Sequence, residues 1–413
     1  MQKRTVKKTQ EELSALGFGA MRLPTKNGMI DKENARKQIY HAIDHGVNFI
    51  DTAVPYHGGG SEAFLGEILS GDYRERVNIS TKMPHWSIKN YEDMEKSLKQ
   101  QLKNLQTNCI DYYFIHNMNK ITFDRLEKIG LLEFLDKSKK EGKIRNTGFS
   151  FHGSKVEFKP IVDSYGWDAC MLQFNYMDEN IQAGIDGVKY AHSKGMAVIA
   201  MEPLKGGILA GKMPEKVENI WNNSEIRRTS ANWAFRWVLN HPEITCLISG
   251  MNSMDQINEN LEIASKVRPD SLTDNELSRY TQVKNVIQDL MKINCTSCGY
   301  CIPCPAGVDI PGCFSIYNEK YLFQDRKAGI NYILRTGGIF DNQPSHASMC
   351  NDCGKCLKAC PQNLEIPELL NEVAGDLGGR GFNLKIKFMS SLAMPLFNAF
   401  LSIRNRLSSF KTN

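Results

Sequence analysis

The sequence has no run of 18 or more uninterrupted apolar residues, which excludes a transmembrane helix of ordinary length. Met1 to Glu12 is charged and polar and lacks the apolar core of a secretory signal, so the chain is expected to be cytoplasmic. No Gly-rich fingerprint follows the first apolar run, so the phosphate-binding signature of a doubly wound open sheet is missing. Concentrated basic character is also absent. A formal charge of +5 over 413 residues is modest, and nucleic acid is not expected as a partner. Hydrophobic residues at 41% and charged residues at 23% are those of a globular protein, long enough for two or three domains or for one barrel plus a smaller module.

What is present is an alternation. Short apolar runs occur at Leu13–Met21, Val47–Ala53, Val77–Lys82, Asp111–His116, Ile144–Ser150, Cys170–Phe174, Ala197–Pro203 and Thr245–Met251. Between them lie helical patterns at Lys32–Asp44, Tyr91–Leu105, Phe123–Lys140, Ala183–Ser193, Thr229–Leu239 and Met254–Ser265. Strand and helix alternating about eight times over roughly 250 residues predicts a (β/α)8 barrel. The expected division is a barrel over 1–268, a linking helix over 269–292, a cysteine-rich domain over 293–377 and a tail over 378–413.

In such a barrel, residues at the C-terminal ends of strands converge on one site. Asp51, Lys82 and His116 each end an apolar run, and Tyr56 follows Asp51 closely. Their chemistry is coherent. A tyrosine of ordinary pKa near 10 is a poor acid at neutral pH, and a neighbouring ammonium is expected to lower that pKa. Asp51 would hold Lys82 charged, and His116 would orient a substrate carbonyl beside Tyr56 for general-acid help.

Phe49-Ile50-Asp51-Thr52-Ala53 with Tyr56, glycines 58–60 and Ser61-Glu62 resembles the signature of the aldo/keto reductase family, and Lys82 and His116 match its tetrad by spacing. The resemblance covers about residues 14–265. It implies that Tyr56 is the acid/base, tuned by Lys82 and Asp51, and that Ser150, Gln173 and Asn175 lie on the nicotinamide side. Pro203, Leu204 and Gly207 resemble the seventh strand and its loop, and Ser249, Gly250, Met251, Gln256, Glu259 and Asn260 the adenosine end. Family members preferring NADPH usually place Lys or Arg against the 2′-phosphate. Gly250 and Gln256 take those places here, which leaves NADH or NADPH open.

Of twelve cysteines, Cys109, Cys170 and Cys246 are scattered, and nine fall between Cys295 and Cys360. In a reducing compartment such a patch reads as metal ligation. Cys295, Cys298, Cys301 and Cys304-Pro305 form one motif; Cys350, Cys353, Cys356 and Cys360-Pro361 form a second with bacterial ferredoxin spacing. Zinc needs no third cysteine at the same spacing, so two 4Fe–4S clusters are the stronger reading. With the fourth cysteine crossing between motifs, Cys295, Cys298, Cys301 and Cys360 would hold one cluster, and Cys350, Cys353, Cys356 and Cys304 the other. The long gap between motifs, with helix-like Gly312–Tyr321 and Arg326–Leu334, looks like a helical ferredoxin module.

The two halves together resemble the subgroup of aldo/keto reductases with a C-terminal ferredoxin-like extension, known from anaerobes. Three functions follow: a redox enzyme acting on a carbonyl or alcohol and exchanging electrons with a protein partner; a simple NAD(P)H carbonyl reductase with structural clusters; or an electron-transfer subunit without turnover. A flavin is the usual converter between hydride and single electrons, and no motif assigns one here. After the Gly-rich break, residues 382–413 include no acidic residue and carry Lys385, Lys387, Arg404, Arg406 and Lys411. This segment fits an amphipathic helix packed on the protein's own surface, with a membrane-surface or partner-docking helix as the alternative.

Overall fold

The computed structural model describes residues 1–211, 213–293, 295, 301–323, 325–339, 343–360, 364–379 and 381–389. They fall into two compact units, Met1–Gly211 with Arg228–Asp274, and Lys212–Arg227 with Asn275–Asn413.

In the first unit, eight parallel strands close in chain order: β1 (Leu16–Gly19), β2 (Phe49–Asp51), β3 (Asn78–Met83), β4 (Ile110–Met118), β5 (Ile144–Phe151), β6 (Ala169–Gln173), β7 (Ala197–Met201) and β8 (Cys246–Ser249). The ring is completed where Leu247 of β8 sits opposite Leu16 of β1. Parallel strands packed on both faces read as continuous apolar runs, which is why the sequence shows them so plainly. Alternate residues point inward. Tyr112 and Phe114, Ala169 and Met171, Ala197 and Ile199, and Cys246 and Ile248 form one core cluster, the period of two that fills a barrel. The antiparallel pair Lys3–Thr5 and Glu12–Ser14 closes the end where the strands begin: Val6 and Leu13 join that core. Beside them Glu11 accepts bonds from Tyr112 and Asn146.

The crossover helices include Lys32–Asp44, Tyr91–Asn104, Gly184–Ser193, Ser230–Asn240 and Met254–Lys266, close to the expected ranges. The single helix expected over 123–140 is two, Lys120–Lys128 and Leu131–Lys140, because Gly130 turns left-handed at φ 91° between them. Two further crossovers, Ser61–Ile68 and Lys155–Asp163, had no clear sequence pattern. The first is eight residues long, and the second carries Pro160 inside but is secured by a Ser154–Glu157 capping box.

In the second unit, helix Asp274–Leu290 receives the helix Glu215–Asn222. Trp221 packs edge-on against Tyr280 at 5.1 Å, and Arg279 donates to the carbonyls of Ile220 and Asn223, each at 3.0 Å. Further along, helices Ile310–Leu322, Ala328–Thr336 and Ile366–Val373 share a core of Phe314, Tyr332, Leu370 and Val373. The expected tail begins with helix Phe382–Phe388, whose Phe382 joins this core; residues 390–413 lie outside the described residues. Among the described residues no helix is long and apolar enough to cross a membrane.

Candidate active site

Asp51 ends β2 and Lys82 lies near the end of β3, on adjacent strands, so their side chains meet at the mouth of the barrel. Lys82 Nζ donates to Asp51 Oδ1 and Oδ2 at 2.7 and 2.8 Å and to the Thr52 carbonyl at 2.9 Å. It reaches the Tyr56 hydroxyl at 3.3 Å. Ser80 donates to Asp51 at 2.7 Å, so the carboxylate is held from two sides. Tyr56 starts a tight turn, Tyr56–Gly59, in which His57 and Gly58 are left-handed at φ 51° and 61°. The glycine run relieves most of that strain, and His57 Nε2 accepts from the Leu23 backbone, tying the turn to the segment after β1.

His116, on β4, stands edge-on to Tyr56 with ring centroids 6.5 Å apart. Its Nδ1 is buried and finds no hydrogen-bond partner among the described residues. Burial, with the nearby Lys82 charge, pushes its pKa well below the ordinary range, so the ring is neutral. For Lys82, burial works against the charge, but Asp51 and Tyr56 outweigh it and its pKa rises.

Tyr56 departs from the expectation. Its pKa is raised, not lowered: burial disfavours the tyrosinate more than Lys82 favours it, and Asp51 adds to the rise. Burial leads, and the Lys82 ammonium that opposes it gives its two shortest bonds to Asp51.

The residues expected around a nicotinamide form a second network. Asp178, buried in the loop after β6, pairs with Lys205 at 2.6 and 2.7 Å and accepts from Gln173 at 2.7 Å and Asn175 at 3.1 Å. Asn175 also accepts from the backbone of Met177 and Asp178 and donates to the Glu202 carbonyl, so its amide is engaged within the loop. Ser150 accepts from the Asn117 backbone at 2.8 Å, which leaves its hydroxyl proton to donate. Pro203 is buried and Leu204 partly so, Gly207 is exposed, and Met251 is buried. Asn260 donates to Ser249 at 3.3 Å, Thr229 donates to Glu259, and Gln256 accepts from the Asn252 backbone at 3.0 Å beside exposed Gly250. Neither Asp178 nor Lys205 stood out in the sequence, where they are simply a loop carboxylate and a lysine 27 residues on.

In the second unit, Cys304, Cys350, Cys353 and Cys356 line a cavity of about 170 Å³ together with Cys301, walled by Ile310, Pro367 and Leu370. The pKa of Cys356 is raised by burial and by the proximity of Cys350, Cys304 and Cys353. Among the described residues no three such side chains converge on a single ion, and no described cysteine forms a disulfide. Five thiols around this partly apolar cavity are one more than the four ligands that close a structural zinc site. Cys295 and Cys360 pack against the core, Cys313 is buried within it, and Cys298 lies outside the described residues.

The aldo/keto reductase family pattern matches residues 15–283. The chain belongs to that family. It is therefore an oxidoreductase of the aldo/keto reductase type, a family that acts on small-molecule carbonyl substrates, and the pattern of a 4Fe-4S dicluster domain follows at 294–364. The chain is 26% identical to L-galactose dehydrogenase of Arabidopsis thaliana over 314 residues, 70% of this chain and 95% of that protein. It is 27% identical to 6-dehydroglucose reductase of Novosphingobium aromaticivorans over 278 residues, 62% and 88% of the two chains. Among solved structures, the holo form of aldo-keto reductase AKR11C1 from Bacillus halodurans superposes with a TM-score of 0.59 at 24% identity, covering 68% of this chain and 96% of that one. An aldo-keto reductase of Klebsiella pneumoniae in complex with NADPH gives 0.56 at 23% identity, covering 69% and 96%.

Proposed function

We propose that the barrel reduces a small-molecule carbonyl with NADH or NADPH, or oxidises the corresponding alcohol with NAD+ or NADP+, and that the C-terminal unit passes electrons through two 4Fe–4S clusters to or from a protein partner. The observation that carries the barrel reading is the Lys82 ammonium bridging the Asp51 carboxylate and the Tyr56 hydroxyl. The nicotinamide, when bound, supplies or accepts the hydride. Tyr56, partly exposed at the barrel mouth, gives its proton to the carbonyl oxygen as the C–H bond forms. Lys82 meets the charge that then develops on Tyr56, and Asp51 and Ser80 keep Lys82 in place. His116, neutral, orients the carbonyl oxygen. Ser150 and Gln173 are assigned to the carboxamide, and Asn175 serves them from behind by holding the Asp178 loop. Two relatives are named for sugars, galactose and dehydroglucose, which makes sugar carbonyls the first substrate class to assay.

Cys304 with Cys350, Cys353 and Cys356 is assigned to one cluster, and Cys295, Cys298, Cys301 and Cys360 to the other; the proximity of Cys304, Cys350 and Cys353 to Cys356 supports this crossing. The clusters, when bound, move single electrons. Cys353 is exposed, which favours exchange with a partner over a purely structural role.

The test is anaerobic purification with iron and sulfide assays and visible spectra before and after NADH or NADPH. Bleaching on adding nicotinamide supports one electron path and requires a flavin in the sample. Intact clusters that never bleach point to a structural role, and zinc in place of iron sinks the cluster half. Tyr56→Phe is expected to abolish carbonyl turnover and leave cluster reduction by dithionite unchanged.

A further inference from the structure

Helix Phe382–Phe388 is fixed to the second unit by one face only. Phe382 is buried, with its ring centroid 5.4 Å from that of Tyr332 and 5.1 Å from that of His346. Ile386 and Met389 pack against the same core, and a Cβ on Gly337 would stand 3.3 Å from Ile386 Cγ1. At about 100° per residue, these three side chains share one side of the helix.

The opposite side is also apolar, and it is open. Leu384 and Phe388, one turn apart, are 76% and 61% exposed, the highest of the large apolar side chains described in that unit. Lys385 and Lys387 are exposed and flank this stripe, one on each side. An apolar stripe edged by lysines, on a helix anchored by its back, is the layout of a segment lying in a membrane interface. The apolar groups enter the acyl boundary while the long lysine stems lift their ammonium groups to the headgroups.

The sequence that follows continues the same chemistry. Residues 382–413 hold no acidic side chain, and Phe388–Leu401 carry no charge before Arg404 and Arg406. Cations alone would suit any acidic macromolecule, but the uncharged run between them asks for an apolar medium. That run is shorter than the about 20 residues of a spanning helix, so it suits the interface of a bilayer and not a crossing. A surface of anionic lipid offers both the negative charge and the apolar layer beneath it.

We propose that Leu384, Phe388, Lys385 and Lys387 dock the protein on an anionic lipid surface, and that the apolar and basic sequence after them strengthens the hold. The docking is independent of the barrel chemistry and of the path taken by electrons.

The test is sedimentation of the full chain, purified without oxygen, with sucrose-loaded vesicles. These contain phosphatidylcholine alone or mixed equally with phosphatidylglycerol. Binding to the mixed vesicles is expected to be at least about tenfold tighter than to phosphatidylcholine, and to weaken as salt rises. Lys385→Gln with Lys387→Gln is expected to weaken it by about tenfold to thirtyfold, or about fivefold per lysine. Leu384→Ser with Phe388→Ser is expected to weaken it by about tenfold. Iron content and thermal melting should stay native in both variants, since all four side chains are exposed. Equal sedimentation with both vesicle types overturns the proposal. Salt-sensitive binding that ignores Leu384→Ser with Phe388→Ser also overturns it, and leaves only a basic patch for an acidic macromolecule. A native chain that stays off vesicles overturns it as well: a dimer broken by the serine variant assigns the face to a second copy, and a monomer assigns it to the chain's own remaining segment.

Discussion

The Lys82 ammonium lies 3.3 Å from the Tyr56 hydroxyl but only 2.7 Å from Asp51. The cation is thus shared unequally, and the tyrosine receives the smaller part. A buried ion pair broken on one side costs about 3–5 kcal/mol, because the remaining charge is left uncompensated. Asp51→Asn is therefore expected to lower stability by that order. Asp51→Asn combined with Lys82→Met is expected to be more stable than Asp51→Asn alone, although neither turns over. Chemical denaturation of the native chain and these two variants measures it, and a double variant that is weaker than the single one refutes the account.

Burial of Tyr56, only partly offset by Lys82, sets the pH profile. With its pKa raised above the ordinary value near 10, Tyr56 stays protonated across the neutral and mildly alkaline range. Carbonyl reduction, followed as kcat/KM, is expected to hold its rate until the pH passes about 10 and only then to fall. An alkaline limb near pH 8 would mean that Lys82 dominates Tyr56 after all.

His85 offers a stability test separate from chemistry. Arg125 donates to its backbone carbonyl at 2.8 Å and lies 3.3 Å from its Nδ1, and burial together with that charge lowers its pKa to about 4. The folded state thus resists a proton that the unfolded chain accepts at its ordinary pKa near 6.5. Stability is unaffected above that pH and declines as the pH falls from 6.5 toward 4, by on the order of 3 kcal/mol for this ring. His85→Gln should flatten that part of the stability–pH curve relative to the native chain, and parallel curves would remove His85 as a cause.

The barrel was legible because parallel strands bury both faces, so runs such as Ile144–Ser150 stand out without any alternation. Asp51, Lys82 and His116 were legible for a related reason: each closes such a run. The crossover Lys155–Asp163 was hidden by Pro160, and the break at Gly130 by apolar spacing that continues across it. The direction of the Tyr56 shift could not be read at all. It depends on whether burial or Lys82 prevails, and neither burial nor distance is written in a motif. Likewise Asn175 reads as a cofactor contact beside Gln173, and only the fold shows its amide engaged by Asp178 and the backbone around it.

Asp178 and Lys205 join the end of β6 to the turn after β7. Asp178→Asn leaves Lys205 as a buried cation facing an amide, and Lys205→Met leaves the opposite charge. Both variants are expected to melt about 5–10 °C lower and to bind dinucleotides more weakly, because the left-handed Lys205–Gly207 turn loses its tether. Thermal melts alongside NADH and NADPH titrations separate the two effects. A lower melting temperature with unchanged binding would make the pair a support of the fold alone.

The crossing of cysteines between motifs gives the most discriminating variant of the second unit. Cys304 belongs by sequence to the first motif, yet it acts on Cys356 together with Cys350 and Cys353. If a motif held its own cluster, Cys304→Ser would damage the site of Cys295 and Cys301 and spare the second. With the crossing, Cys304→Ser disturbs the cluster of the second motif, and Cys350→Ser produces the same phenotype. Each single variant is expected to lose about half the iron, and the double variant Cys304→Ser with Cys350→Ser to lose no more than either. Iron analysis and low-temperature electron paramagnetic resonance of the reduced proteins read this directly. Should the double variant lose nearly all its iron, the two cysteines serve different clusters and the assignment falls.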